Sequence, residues 1–321
     1  MKRMFPLQRA FPALRVLVLS VCAAHAAPQA LAADAPAAPA APARPGFSLR
    51  IEPARPLNLP TPIALGDPVT GAPFQWTGMN REQLLRNVRT ASLYAVRPAA
   101  SKGNGRAVLV VPGGGYMFVA IENEGLPVAQ RLADQGYTAF VLVYRVKPTP
   151  AADEDFSAWL QKDIAERFSK PPQPGAPELE FQPAVEDAKA AMRWIRAHAA
   201  DYAVDAARVG LIGFSAGART GQRLVEQAEA AEMPDQLALI YGGLSAAKPR
   251  APVPPLFVAQ AADDPLFPVT GIDLLHSWRQ AGQRAELHLY ERGGHGFGLL
   301  NLRGTTADGW MDAYLAWLSR Q

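Results

Sequence analysis

Gly213-Phe214-Ser215-Ala216-Gly217 follows a short apolar run at 209–212 and precedes an Ala-rich segment, 218–230, with helical spacing. A strand, a sharp turn carrying Ser at its apex and a helix together read as a nucleophile elbow. Each part has a chemical reason. The glycines let the turn close tightly and let neighbouring backbone approach it. The turn lifts the Ser215 hydroxyl out at the end of a sheet. The helix that follows aims free N–H groups at any negative charge that develops there. A turn of this composition also occurs as plain punctuation between elements, so the rest of the chain has to supply the partners.

A serine hydroxyl is a weak nucleophile at neutral pH. It needs a base, and the base needs a group to orient it. After an elbow of this kind the acid and then the histidine follow in chain order. His276, His288 and His295 come after Ser215. His276 falls in a helical pattern and His288 in an alternating strand, where packing roles suffice. His295 stands in Gly293-Gly294-His295-Gly296-Phe297-Gly298, between the last strand pattern and the last helix. Glycines there let a loop carry the imidazole close to other backbone. The acid is expected after the strand at 256–260, in Ala261-Ala262-Asp263-Asp264-Pro265-Leu266-Phe267-Pro268. Asp264, four residues before Pro268, has the expected spacing, which leaves Asp263 to form the turn.

Stabilising an oxyanion takes two backbone N–H groups. Ala216, directly after the nucleophile, supplies one. The other is expected from Pro112-Gly113-Gly114-Gly115-Tyr116, which follows an apolar run at 107–111, with Gly114 or Gly115 as donor. A phosphate cradle fits this loop poorly, because no Lys-Ser/Thr follows and the glycine spacing is wrong.

Strands are expected at 89–96, 106–111, 138–144, 209–213, 237–241, 256–260 and 285–290. Several are unbroken Val/Leu/Ile runs, as strands buried on both faces should be. Helices are expected at 126–135, 218–230, 271–280 and 307–319, and around the stripe Val185, Ala188, Met192, Ile195 and Ala199. The alternation predicts an α/β fold with a mostly parallel sheet covered by helices on both faces. The segment 148–183 interrupts it with Asp153-Glu154-Asp155, a short helix candidate at 156–168 and a Pro-rich run. It reads either as a solvated surface insertion or as a small cap over the functional end of the sheet.

The first 32 residues read as a secretory signal. Lys2, Arg3, Arg9 and Arg15 precede an apolar core at 16–24, and small residues then offer cleavage sites. Residues 33–46 are mostly Ala and Pro and read as a disordered tether, leaving 47–321 as one domain. The chain has 32 Lys+Arg against 29 Asp+Glu. Without the leader's four basic residues it is near neutral, which gives no footprint for nucleic acid. The single Cys, Cys22, lies in the leader, so the exported chain would have neither a disulfide nor a Cys nucleophile. The expected location is periplasmic or secreted, without stable membrane insertion.

From about residue 88 onward the chain resembles the small secreted α/β-hydrolases of the acetylxylan esterase and feruloyl-esterase type. The resemblance rests on Pro112-Gly113-Gly114-Gly115-Tyr116 and on Glu124-Gly125 followed by Ala129, Leu132, Gly136 and the run 139–145. It continues through Asp187, Arg193, the 213–217 elbow, Asp264 and His295-Gly296-Phe297-Gly298. It implies hydrolysis of acetyl esters of carbohydrate by Ser215, Asp264 and His295, with no cofactor or metal. Tyr116 and Glu124, in the matching stretches, become candidate substrate contacts. The partner expected is a small-molecule or oligosaccharide ester, and the oligomeric state stays open. The chain departs from the family at Ala218 and Pro112 and in the length of the 148–183 segment, all of which bear on the substrate rather than the mechanism. A general short-chain carboxylesterase or lipase-like enzyme, an exported serine peptidase and a non-catalytic binding module are the rival readings. The acidic, Pro-rich insertion offers no apolar lid for long acyl chains, so a small pocket that takes acetyl and rejects octanoyl is expected.

Overall fold

The computed structural model describes residues 49–168, 180–269 and 271–321. The leader, the tether and the Pro-rich run at 171–177 lie outside the described residues. The strands are β1 (Ile51–Glu52), β2 (Pro62–Ala64), β3 (Gln75–Met79), β4 (Glu82–Arg86), β5 (Ser92–Val96) and β6 (Ala107–Val111). Then come β7 (Phe118–Val119), β8 (Thr138–Val143), β9 (Val209–Phe214), β10 (Leu237–Ile240), β11 (Leu256–Ala261) and β12 (Ala285–Tyr290). The helices are α1 (Leu126–Asp134), α2 (Asp153–Phe168), α3 (Gln182–Ala197), α4 (Ala216–Gln227), α5 (Asp273–Gln280) and α6 (Trp310–Leu318).

Among the described residues the main sheet has eight strands in the order β12-β11-β10-β9-β6-β8-β5-β2. Every pairing from β12 across to β8 is parallel, and β5 and β2 are added antiparallel. Helices cover both faces, as the alternating pattern predicts. Strands β6, β8, β9 and β11 are buried at every position, which is why they read as continuous apolar runs. β12 lies at the edge, is only half-buried and keeps polar residues. Arg145, just past β8, ion-pairs with the mostly buried Asp187 on α3 at 2.7 Å and fastens that helix to the strand end.

A second, four-stranded antiparallel sheet, β1-β3-β4-β7, has no counterpart in the expected pattern. Its β3–β4 hairpin turns through Asn80-Arg81, with Met79 paired to Glu82. Both turn residues have positive φ, +50° and +72°, as a two-residue turn matching the strand twist requires.

In the 148–183 segment the described residues, 148–168 and 180–183, include one packed element. Its helix α2 begins at Asp153, earlier than expected, and packs Phe156 and Leu160 with Met79, Leu84, Met117 and Ala120 into a separate apolar cluster. The side chain of Arg86 on β4, fully buried, anchors it. The guanidinium donates to Thr77 Oγ1, Pro150 O and Asp153 Oδ1 at 2.5–2.6 Å, and lies 4.0 Å over the Phe156 ring. Arg86→Ala removes the donors to the buried Thr77 hydroxyl and to Pro150 O, together with the ring contact to Phe156. It is expected to lower unfolding stability by about 3 kcal/mol, measured by urea denaturation. A loss under about 1 kcal/mol would mean that Arg86 does not hold α2 in place.

Candidate active site

The elbow sits where β9 ends and α4 begins. Ser215 has φ +50° and ψ −114°, a conformation that L-residues rarely adopt and that the surrounding packing has to impose. The two flanking glycines are steric requirements. A Cβ on Gly217 would lie 2.0 Å from Val111 O, and one on Gly213 would lie 2.4 Å from Gly217 O. Ser215 N donates to Ile240 O at 2.9 Å, tying the elbow to the neighbouring strand.

Ser215 Oγ lies 2.8 Å from His295 Nε2, and His295 Nδ1 lies 2.9 Å from Asp264 Oδ2. With Asp264 as a carboxylate, Nδ1 donates to it and Nε2 accepts from the serine hydroxyl. Asp264 is almost fully buried. Its Oδ1 accepts from the N–H groups of Leu266 and Phe267, and its Oδ2 also accepts from Gln260 Nε2. These donors fix the plane of the carboxylate. Asp263 Oδ1 instead accepts from Gly293 N and Gly294 N at 2.8 and 2.7 Å and holds the base of the histidine loop. The structure thus places Asp264, not Asp263, against the imidazole. His276 is exposed on α5, and His288 meets Glu286 on β12; neither comes near Ser215's partners.

The glycine loop also resolves into distinct roles. Gly113 N donates to Glu124 Oε2 at 2.5 Å and is therefore engaged. Among the described residues, the N–H groups of Gly114, Gly115 and Ala216 have no hydrogen-bond acceptor. Gly114 and Gly115 take φ +127° and +60°, and both line the cavity beside Ser215. The two proposed sources of oxyanion donors are therefore present and free.

Of the two candidate substrate contacts, Tyr116 needs correction. The side chain of Tyr116 is fully buried and does not line the cavity. Its hydroxyl lies 3.2 Å from Thr220 Oγ1, and its ring packs against Tyr144 and Phe181. It supports the loop from beneath. Glu124 borders the cavity, and each of its oxygens accepts a hydrogen bond: Oε2 from Gly113 N and Oε1 from the Tyr241 hydroxyl at 2.8 Å. Burial pushes its carboxyl above the usual range, against the pull of these two hydrogen bonds and of His295. Glu124 positions the glycine loop.

Sequence reasoning missed Asn123. It sits in the π-helical turn Ile121–Gly125, a distortion frequent at functional sites. Its Nδ2 donates to Gly296 O at 2.9 Å, and its Oδ1 accepts from Leu299 N and Leu300 N. One side chain thus joins the turn behind the glycine loop to the loop carrying His295. The only signal was its place in Glu122-Asn123-Glu124, just before α1.

The cavity has a volume of about 860 Å³. Glu82 faces it with its carboxyl pushed up to about 7, chiefly by burial, with Glu124 and Glu122 adding to the rise. The folded chain holds this proton to about pH 7, whereas an unperturbed glutamate loses it near 4.5. The stability this proton contributes is present at acid pH and is lost as pH rises from about 4.5 to about 7, where the unfolded chain releases the proton first. Among the described residues there is no cluster of three or more His, Cys, Asp or Glu arranged to hold a metal, and no helix long and apolar enough to cross a membrane.

Fold and site together define an α/β-hydrolase architecture carrying a hydrogen-bonded Ser-His-Asp chain. A family model for the α/β hydrolase fold matches residues 174–252. A curated protein named acetylxylan esterase, from Xylanibacter ruminicola, is 25% identical, over 61% of this chain and 42% of its own length. The chain therefore spans about two fifths of that relative, 42%. Among solved structures, an α/β hydrolase enzyme from a Medee basin deep-sea metagenome library superposes with TM-score 0.57 at 21% identity, covering 82% of this chain and 97% of the other. An acetyl ester-xyloside bifunctional hydrolase from Caldicellulosiruptor lactoaceticus gives 0.54 at 23%, covering 72% and 88%. A thermophilic esterase from Thermogutta terrifontis, solved with propionate bound, gives 0.54 at 21%, covering 73% and 92%.

Proposed function

We propose that the protein is a serine carboxylic ester hydrolase acting through an acyl-enzyme, and that its esters are those of carbohydrate, acetyl esters among them. The observation that carries the reading is the Ser215-His295-Asp264 chain at 2.8 and 2.9 Å, facing a cavity edged by free N–H groups. His295 Nε2 takes the Ser215 proton as Oγ attacks the ester carbonyl. The Ala216 N–H and the Gly114 or Gly115 N–H receive the oxyanion. Protonated His295 gives the proton to the departing alkoxide, which leaves as the alcohol. A water then enters, loses a proton to His295 and attacks the acyl-enzyme, releasing the carboxylic acid and restoring Ser215. Asp264 holds the imidazole and stabilises its charged form.

The carbohydrate half of the reading draws support from the resemblance at residues 112–116 and 124–145, and from the names of the Xylanibacter and Caldicellulosiruptor relatives. Asn80, Glu82 and Asn301 give the cavity side chains able to meet hydroxyls. Export rests on the leader alone, and its check is the N-terminus of the protein recovered from each cell fraction. The activity test sets acetylated xylan and nitrophenyl esters beside a peptide panel, with and without chelator. Ester turnover that survives chelation, with labelling of Ser215 by a fluorophosphonate, is expected. Peptide cleavage without ester turnover, or activity lost on chelation, would overturn the reading.

A further inference from the structure

The lining of the cavity carries both polar and apolar side chains. Asn80, Glu82 and Asn301 form a polar set, in which Asn301 Nδ2 donates to Glu82 Oε1 at 2.5 Å. Met79, Leu84, Met117, Leu160 and Ile164 form an apolar set drawn from the small sheet, the glycine loop and α2. The apolar set is a packed structure, because the same side chains make the cluster that binds α2 to the four-stranded sheet. α2 is held there by the buried Arg86 and its bond to Asp153 at 2.6 Å. The expectation of an acidic, Pro-rich insertion omits one feature of its described part: α2 gives the cavity the apolar side chains Leu160 and Ile164. The segment's Pro-rich half hid the stripe Phe156, Trp159, Leu160 and Ile164, which recurs at helical spacing.

An acetyl group would occupy a small part of about 860 Å³. Pockets of about 300–1,000 Å³ ordinarily hold ligands of drug size. A carbohydrate alcohol is dense in hydroxyls, which lose hydrogen bonds to water and find no partners against Leu and Ile. The polar set suits it, which leaves the apolar set for the acyl side of the ester. We infer that the acyl group preferred is an aliphatic chain longer than acetyl, lying in the cavity against the apolar side chains of α2 and the four-stranded sheet, with Leu160 and Ile164 setting its length. This rests on the carbohydrate-ester reading and narrows it.

The test is an acyl series of nitrophenyl esters, acetyl to octanoyl, on the full protein and on two variants that change the pocket in opposite directions. In the parent, kcat/KM for the best longer ester should exceed that for acetyl on the order of tenfold or more, since each methylene buried in a fitted pocket adds several-fold. Ile164→Trp, at a half-buried position, should lower the octanoyl-to-acetyl ratio about tenfold or more. Leu160→Ala should move the optimum to a longer chain. Thermal melting and fluorophosphonate labelling show whether each variant is folded, and either one suffices. An acetyl optimum in a parent whose Ser215 labels would overturn the inference and leave the ester-hydrolase reading standing. So would an octanoyl-to-acetyl ratio unchanged in both folded variants. No ester turnover and no labelling at all would remove both.

Discussion

Ser215→Ala is expected to lower kcat by on the order of 10³ or more, with the fold intact. The hydroxyl that it deletes lies 2.8 Å from His295 Nε2, and among the described residues no other side chain hydroxyl meets that nitrogen. The fold should tolerate the change for a specific reason. The strained backbone at φ +50° is imposed by Gly213, Gly217 and the bond from Ser215 N to Ile240 O, and alanine meets the same constraint with the same Cβ. His295→Ala should cost a similar amount, because the two residues act in one proton transfer. The double variant should then fall little below either single one, since effects within such a unit do not add. The measurement is kcat on nitrophenyl acetate, with melting temperature as the control for folding. More than about a tenth of the activity remaining in either folded single variant would exclude the acyl-enzyme route through Ser215.

Much of this site was legible because its glycines answer to local sterics. Gly213 and Gly217 are forced by contacts within or beside the elbow, and the unbroken apolar runs of β6, β8 and β9 report burial on both faces. The four-stranded sheet was not legible. Its strands run two to five residues, and its hairpin turns through Asn80-Arg81 without a glycine to mark it. The anchoring of α2 was hidden for another reason: Arg86 is an ordinary charged residue in sequence, and only tertiary structure puts it under Phe156. Glu124 and Tyr116 show the same limit. Motif membership marks them as belonging to the site, but burial decides that they brace the glycine loop. Asn123 joins loops more than 170 residues apart in sequence, as its bond to Gly296 shows, and no local pattern encodes such a pairing.

The adjacent aspartates give the sharpest test, because one amide substitution has opposite meanings at the two positions. Asp264 Oδ1 accepts from Leu266 N and Phe267 N, so in Asp264→Asn the amide oxygen must take that place to satisfy both donors. The NH2 group then faces His295 Nδ1 and Gln260 Nε2, where Oδ2 stood. A donor there turns the imidazole to the tautomer with its proton on Nε2, which cannot accept from Ser215. The expected loss in kcat is on the order of 10⁴, with the fold retained. Asp263 is different. A single oxygen, Oδ1, accepts from both Gly293 N and Gly294 N, and an amide oxygen can do the same. Asp263→Asn should therefore cost no more than about tenfold, since neither bond is lost. Asp263→Ala removes that acceptor and should loosen the loop that carries His295, raising KM and lowering stability while leaving the pH profile of kcat in place. Steady-state kinetics on the three variants decide the matter. Equal losses in the two Asn variants, or a larger loss at Asp263, would mean that the imidazole is governed by the other carboxylate.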